Sequence, residues 1–281
     1  MTRIFALTLA LLAGAAAAAP VAMVTDLEGK AWAEAAGRKE AVAILHEIEA
    51  GTRVQVEAGG RLVAVYLKGG EEFTFRGPAL ALFGAAGPQS LSGEKPAARG
   101  ALPAGKVDLA PVGRRALVQS AVVMRGGKAG SRIRLLTLNG SRSLAPQPEF
   151  RWQPVEGARQ YQIEIMDDAG RTVFEASAEE AVFRLPAQVP LREGVPYTWS
   201  VSTRLPDGRK YSNSGDFSLA PGALRAEAAA LRPPADAPVS ARVAYAAWLE
   251  QVELKDEARR YWKALAAERR DDPGLKSLAE D

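Results

Sequence analysis

Three features of this sequence predict a mainly β chain, with two small β units followed by an α-helical hairpin. Between Val21 and Phe83, short apolar runs alternate with Gly29, Gly37, Gly51, Gly59-Gly60, Gly69-Gly70 and Gly77, the spacing of a small all-β domain. Between Pro146 and Ala220, about seven short strands fit into about 75 residues, as in a β-sandwich. From residue 221 onward, apolar positions recur at i, i+3, i+4 and i+7, a helical period. The division that follows is 1–18 export signal, 19–100 all-β domain, 101–145 linker and basic strand region, 146–220 sandwich and 221–281 helical hairpin.

The N-terminus places Arg3 before an apolar run from Ile4 to Leu12 and then a string of alanines, the order of a cleaved secretory signal. A membrane anchor needs about 20 apolar residues with flanking anchors, and the run fades before that. Ala16-Ala17-Ala18 is the expected cleavage triplet. The chain has no cysteine, which excludes disulfides, thiolate metal sites, a cysteine nucleophile and a lipidated cysteine. A periplasmic or secreted bacterial protein, peripheral to the membrane, is the expectation.

In the first β unit, RLVAVYLKG alternates cleanly. Leu62, Ala64 and Tyr66 point one way and Val63, Val65 and Leu67 the other. Both faces are apolar, so the strand is expected to be central. The stretch from Gly84 to Gly113 is dense in Gly, Pro, Ala and Ser and reads as a linker or long surface loop. A short helix or strand over Ala116–Met124 and a strand over Ile133–Leu138 are expected after it.

In the second unit, Phe150 and Trp152 share one strand face, and Tyr161, Ile163 and Ile165 share another. The spacing puts Trp152 and Tyr161 on inward faces of neighbouring strands. Tyr197 and Trp199 alternate with Thr198 and Ser200, and Pro206-Asp207-Gly208 closes a hairpin. Trp152, Tyr161, Tyr197 and Trp199 are therefore expected core markers. In the tail, ALRAEAAALR is one helix and the hairpin follows Pro233-Pro234, with Ala258, Tyr261, Trp262 and Leu265 on one face and Pro273 ending it.

Three resemblances accompany these patterns. EGKAW followed by EIEAGTRVQVEAGGRLVAVYLKGGEEFTFRGPA resembles the FecR-type periplasmic domain over about 65 residues. That resemblance implies a sensor or regulatory subunit working with a membrane-protein partner. The Trp152 strand, Tyr161-x-Ile163-x-Ile165 and Leu191-x-x-Gly194-x-x-Tyr197-x-Trp199 resemble a fibronectin type III domain, which implies that Tyr197 makes a tyrosine corner. Ala246, Ala258, Trp262 and Pro273 resemble a single tetratricopeptide unit. One such unit has no stacking neighbour, so it is expected to pack on the sandwich, on a second copy or on a partner.

Catalytic patterns are weak. His46 is the only histidine, which rules out a multi-histidine metal site within one chain. It is expected on a strand beside Glu47 and Glu49, with no nucleophile pattern near it. Ser92-Gly93-Glu94-Lys95 has the Ser-x-x-Lys spacing, but Gly93 and Pro96 oppose the helix that this chemistry needs. Arg125-Gly126-Gly127-Lys128 lacks the first glycine and the hydroxyl of a phosphate loop. Glu71-Glu72 sits on a strand, where neighbours face opposite ways. No catalytic, cofactor or metal residue is nominated.

Charge is uneven. Residues 20–145 hold 17 Lys+Arg against 11 Asp+Glu, whereas residues 146–220 hold 8 against 11. Arg114, Arg115, Arg125, Lys128, Arg132 and Arg134 form the basic run, and Arg132 and Arg134 share one face. Such a stripe suits an anionic glycan, a lipid head group or the acidic surface of an envelope protein, and nucleic acid is not expected in that compartment. The function expected is a non-catalytic envelope binding or scaffold protein, the alternatives being a FecR-type sensor subunit and an accessory module of a cell-wall enzyme.

If Trp152 is core and not a ligand platform, Trp152→Ala costs about 3–5 kcal/mol of unfolding free energy. Urea denaturation measures this, and unchanged stability with lost binding reverses the assignment.

Overall fold

The computed structural model describes residues 19–103, 107–112 and 132–280. The expected signal at 1–18, the element over Ala116–Met124, and Arg114, Arg115, Arg125 and Lys128 lie outside the described residues.

Ten strands build the first β unit: β1 Pro20–Glu28, β2 Ala31–Ala35, β3 Arg38–Ala41, β4 Glu47–Glu49, β5 Arg53–Val56, β6 Arg61–Tyr66, β7 Glu71–Arg76, β8 Ala79–Gly84, β9 Gly87–Ser92 and β10 Ala97–Gly100. They form two five-stranded sheets, ordered β10-β7-β6-β1-β4 and β3-β2-β5-β8-β9. Between the sheets lie Val24, Val54, Leu62, Tyr66, Phe75 and Phe83. Gly77 is needed where two turns meet, because a Cβ there would sit 1.7 Å from the Glu57 carbonyl oxygen.

The expected linker over Gly84–Gly113 is corrected: it supplies β9 and β10, which pair with β8 and β7 and edge the two sheets. An edge strand needs hydrogen bonds on one side only, so Pro88 and a run of small residues are tolerated there. Further along, Ala101, Leu102, Leu109 and Val112 are buried.

Seven strands build the second unit: β11 Ser141–Ser143, β12 Glu149–Arg151, β13 Tyr161–Met166, β14 Thr172–Ala178, β15 Val182–Arg184, β16 Pro196–Arg204 and β17 Lys210–Leu219. One sheet runs β11-β17-β16-β13-β14 and the other is the β12-β15 pair, a fibronectin type III-like arrangement. β11, from the stretch read as linker and basic strand region, adds in parallel to β17.

Trp152 and Tyr161 are both buried, but they do not lie on neighbouring strands. Trp152 follows β12 and Tyr161 opens β13 in the opposite sheet, so their rings meet edge to face across the core at 5.1 Å. Alternation fixes which way a side chain points, and strand pairing is a separate choice made over longer range.

Four helices follow: α1 Gly222–Leu231, α2 Val239–Gln251, α3 Lys255–Glu268 and α4 Pro273–Glu280. Pro273 ends nothing further; it opens α4. Asp272 sits just ahead of it, and one carboxylate oxygen accepts the Leu275 N–H at 3.0 Å while the other accepts the Ile44 N–H at 3.0 Å. Proline at a helix's first position has no intrahelical N–H bond to lose, and aspartate before it is a preferred cap.

The helices settle where the hairpin packs. The outer face of β1 and β6, carrying Met23, Val65 and Leu67, joins one apolar cluster with Val243, Tyr245, Trp248, Trp262 and Leu265. From Val243 to Leu249 every residue of α2 is buried, as expected of a helix apolar all round. The hairpin thus packs chiefly on the first β unit, and it also touches the second: the Leu138 N–H donates to Asp256 at 2.7 Å and Arg142 pairs with Glu253 at 2.9 Å.

Val65→Asp would place an unpartnered charge beneath α2. It lowers unfolding free energy by about 3 kcal/mol or more in urea titration. A near-neutral effect would mean that the helices do not seal this face.

Candidate functional site

Three segments meet at one end of the second unit. Arg132–Leu138 is not the regular strand expected over Ile133–Leu138; it makes two isolated bridges, Arg132 beside Ser212 and Leu135 beside Trp152. Its hydrogen bonds go to both sheets in turn. The Ile133 carbonyl accepts from Asn213 Nδ2 at 2.8 Å, and the Arg134 carbonyl accepts from the Gln153 N–H at 2.8 Å. Ile133 is buried, whereas Arg132 and Arg134 are both exposed.

The second segment, the loop between β12 and β13, is held by Tyr161, whose hydroxyl accepts the Val155 N–H at 2.8 Å. Thr203 Oγ1 donates to the Gln160 carbonyl at 2.7 Å. The third is the β16–β17 hairpin, where the Leu205 N–H donates to the Arg209 carbonyl at 2.9 Å and Gly208 adopts φ 89°. A left-handed residue there favours glycine. Asp207 accepts the Arg209 N–H at 3.0 Å and Arg209 Nε at 2.7 Å. These bonds to Arg209, the backbone one first, hold the Asp207 carboxyl below its ordinary range.

The three segments enclose an open cleft of about 1020 Å³. Its lining carries four arginines, Arg132, Arg134, Arg159 and Arg209, against two carboxylates, Glu156 and Asp207. Asp207 is engaged by Arg209. Among the described residues, Arg132, Arg134 and Arg159 make no ion pair. Sequence reasoning found the first two through their spacing. It missed Arg159 and Arg209, which come from loops that only the tertiary fold brings alongside.

A second cleft, of about 670 Å³, lies between the sandwich and α3 and is also rich in arginine. There most of the charge is met internally: Arg151 and Arg184 share Glu149, Arg142 takes Glu253 and Arg260 takes Glu257, while Arg232 bonds to Tyr245. The first cleft is thus the stronger candidate for a charged ligand.

The core markers are accounted for. Trp199 is fully buried, and its Nε1 donates to the Leu138 carbonyl at 2.7 Å. Tyr197 is buried against Phe217, and its hydroxyl accepts the Arg192 N–H at 2.9 Å, a tyrosine corner. His46 sits in the turn before β4 and not on a strand, with Nε2 3.7 Å from Glu40. Ser92 ends β9 and Lys95 is exposed in the bend beyond it. Among the described residues, no group of three His, Cys, Asp or Glu gathers as a metal site, and no helix is long and apolar enough to cross a membrane.

No protein-family model matches the chain, and no curated protein matches it. Among solved structures, CopC from Methylosinus trichosporium OB3b is 19% identical across 32% of this chain and 95% of its own, with a TM-score of 0.25. The FN1-FN3 domains of chicken CNTN1 are 11% identical across 72% of this chain and 57% of their own, with a TM-score of 0.23. A two-domain fibronectin type III segment of chicken tenascin is 12% identical across 72% of this chain and 95% of its own, also at 0.23. Scores this low carry no functional argument, and the sandwich is assigned from its own strand order and tyrosine corner.

The Asp207 latch gives a pH dependence. Its folded value is depressed, so its contribution to the hairpin is present above the ordinary value of 3.8 and is lost as pH falls through the lower folded value. A carboxyl NMR titration should place Asp207 below 3.8, and Arg209→Ala should raise it only part of the way back, because the backbone N–H bond to Asp207 remains.

Proposed function

We propose that this protein is a non-catalytic binding and scaffold protein of the bacterial cell envelope, exported to the periplasm or beyond and peripheral to the membrane. Its contact surface is the arginine cleft of the second β unit, and its partner is anionic, an acidic envelope protein or an anionic glycan. The observation that carries this reading is the set of three exposed arginines without carboxylate partners among the described residues, set in loops whose backbone and side-chain bonds are already made. Arginine matches carboxylates and phosphates through its planar fork. Loops fixed beforehand lose little freedom on binding, so more of each contact appears as affinity.

The size of the effect follows from exposure. Each solvent-exposed ion pair contributes about 0.2–1 kcal/mol, so three or four together give a weak, salt-sensitive attachment. Salt at about 0.15 M reduces the screening length to about 8 Å and weakens it further. The two β units, held together by the helices, present the cleft on a continuous body, which suits a scaffold.

Immobilised polyglutamate and an acidic polysaccharide, tested separately at low salt, provide the assay. The purified chain should bind at least one of them, release it as salt rises, and lose about tenfold or more of its affinity in Arg132→Glu/Arg134→Glu while keeping its circular dichroism. Unchanged binding by the double variant rejects the cleft, and turnover of cell-wall fragments by the purified chain rejects the non-catalytic reading.

A further inference from the structure

We propose that the cleft reads an extended acidic peptide, a segment of a partner protein with carboxylates at every second residue. This rests on the reading of the cleft as an anion-binding surface and specifies the partner's chemistry.

The argument begins with spacing. Arg132 and Arg134 are exposed on either side of Ile133, which is turned into the core. Two residues of chain hold their Cα atoms at most about 7 Å apart. An extended peptide repeats its own same-face side chains at about that interval, so carboxylates at i and i+2 come within reach of both guanidinium groups.

Rigidity preserves the match. The Ile133 carbonyl is bonded to Asn213 of β17 and the Arg134 carbonyl to Gln153 just past β12, so the backbone of the pair is held at both positions. The lining also provides for the residues between the carboxylates. Pro154, Val155 and Pro206 offer apolar surface, and the exposed Gln153 offers an amide.

Charge placement favours spaced carboxylates over a block. Asp207 is already taken by Arg209, but Glu156 has no arginine partner among the described residues. An unbroken acidic run laid along the cleft meets Glu156 as a like charge, whereas alternating carboxylates leave neutral residues to pass it. A flat lipid surface fits less well, because the arginines line a recess among three loops and not a convex face.

The test is fluorescence anisotropy on the full chain at low salt with two labelled peptides of identical composition. One alternates glutamate and serine, and the other has its glutamates in one block. The alternating peptide is expected to bind about fivefold or more tightly than the block peptide. Arg132→Gln should remove that preference, and Arg132→Glu/Arg134→Glu should weaken the alternating peptide about tenfold or more. Equal affinity for the two peptides overturns the proposal, as does a preference that survives Arg132→Gln. Binding of polygalacturonate or of anionic vesicles that depends on Arg132 and Arg134, with no peptide binding, also overturns it while leaving an anion-binding cleft. Failure of every anionic probe would reject the cleft itself.

Discussion

The structure depends on a single strand with two apolar faces. Leu62, Ala64 and Tyr66 of β6 fill the first sandwich, while Val65, with Met23 and Leu67 beside it, faces away from that core. Left in water, a large apolar side chain forgoes about 1.5–3 kcal/mol of burial free energy, so such a face must be covered. α2 covers it. Because α2 is apolar on all sides, it must itself be wrapped, which α1, α3 and the chain around Leu102 and Leu109 accomplish. The layered arrangement follows from that one requirement.

Apolar contact is non-directional, and polar groups fix how the layers sit. Asp26, 2% exposed at its side chain, takes Arg61 at 2.6 Å and Arg269 at 3.1 Å, tying β1 to the end of α3. Buried ion pairs of this kind add little net stability over apolar packing, but loss of one partner is costly, so they set register more than they strengthen. On the other side of α3, burial raises the Asp256 carboxyl despite its bonds to the Leu138 N–H and Arg259. Its contribution therefore runs opposite to that of Asp207: it is most favourable at low pH and weakens as pH rises through its folded value.

Local alternation made much of this legible in the sequence. β6 was readable as central, the buried Trp199 and Tyr197 as core, and Arg132 and Arg134 as neighbours on an exposed face, because each depends on residues two apart. What local pattern does not encode is which distant surface completes a contact. Nothing around Val65 names α2 as its cover, and nothing around Arg132 names Arg159 or Arg209. The edge strands β9 and β10 were hidden for another reason. An edge needs half the hydrogen bonds of a central strand, so its composition drifts toward that of a loop. Asp272 likewise serves two backbone groups, one of them on Ile44, and only the helix cap is visible locally.

The ion pair between Asp26 and Arg269 spans 243 positions, and the bond from Ile44 to Asp272 spans 228. Contacts of such separation close only after a long search of the chain, and topologies rich in them fold slowly. The strands made first thus wait on the helices made last. Until α2 arrives, the outer face of β1 and β6 is an adhesive surface open to wrong partners.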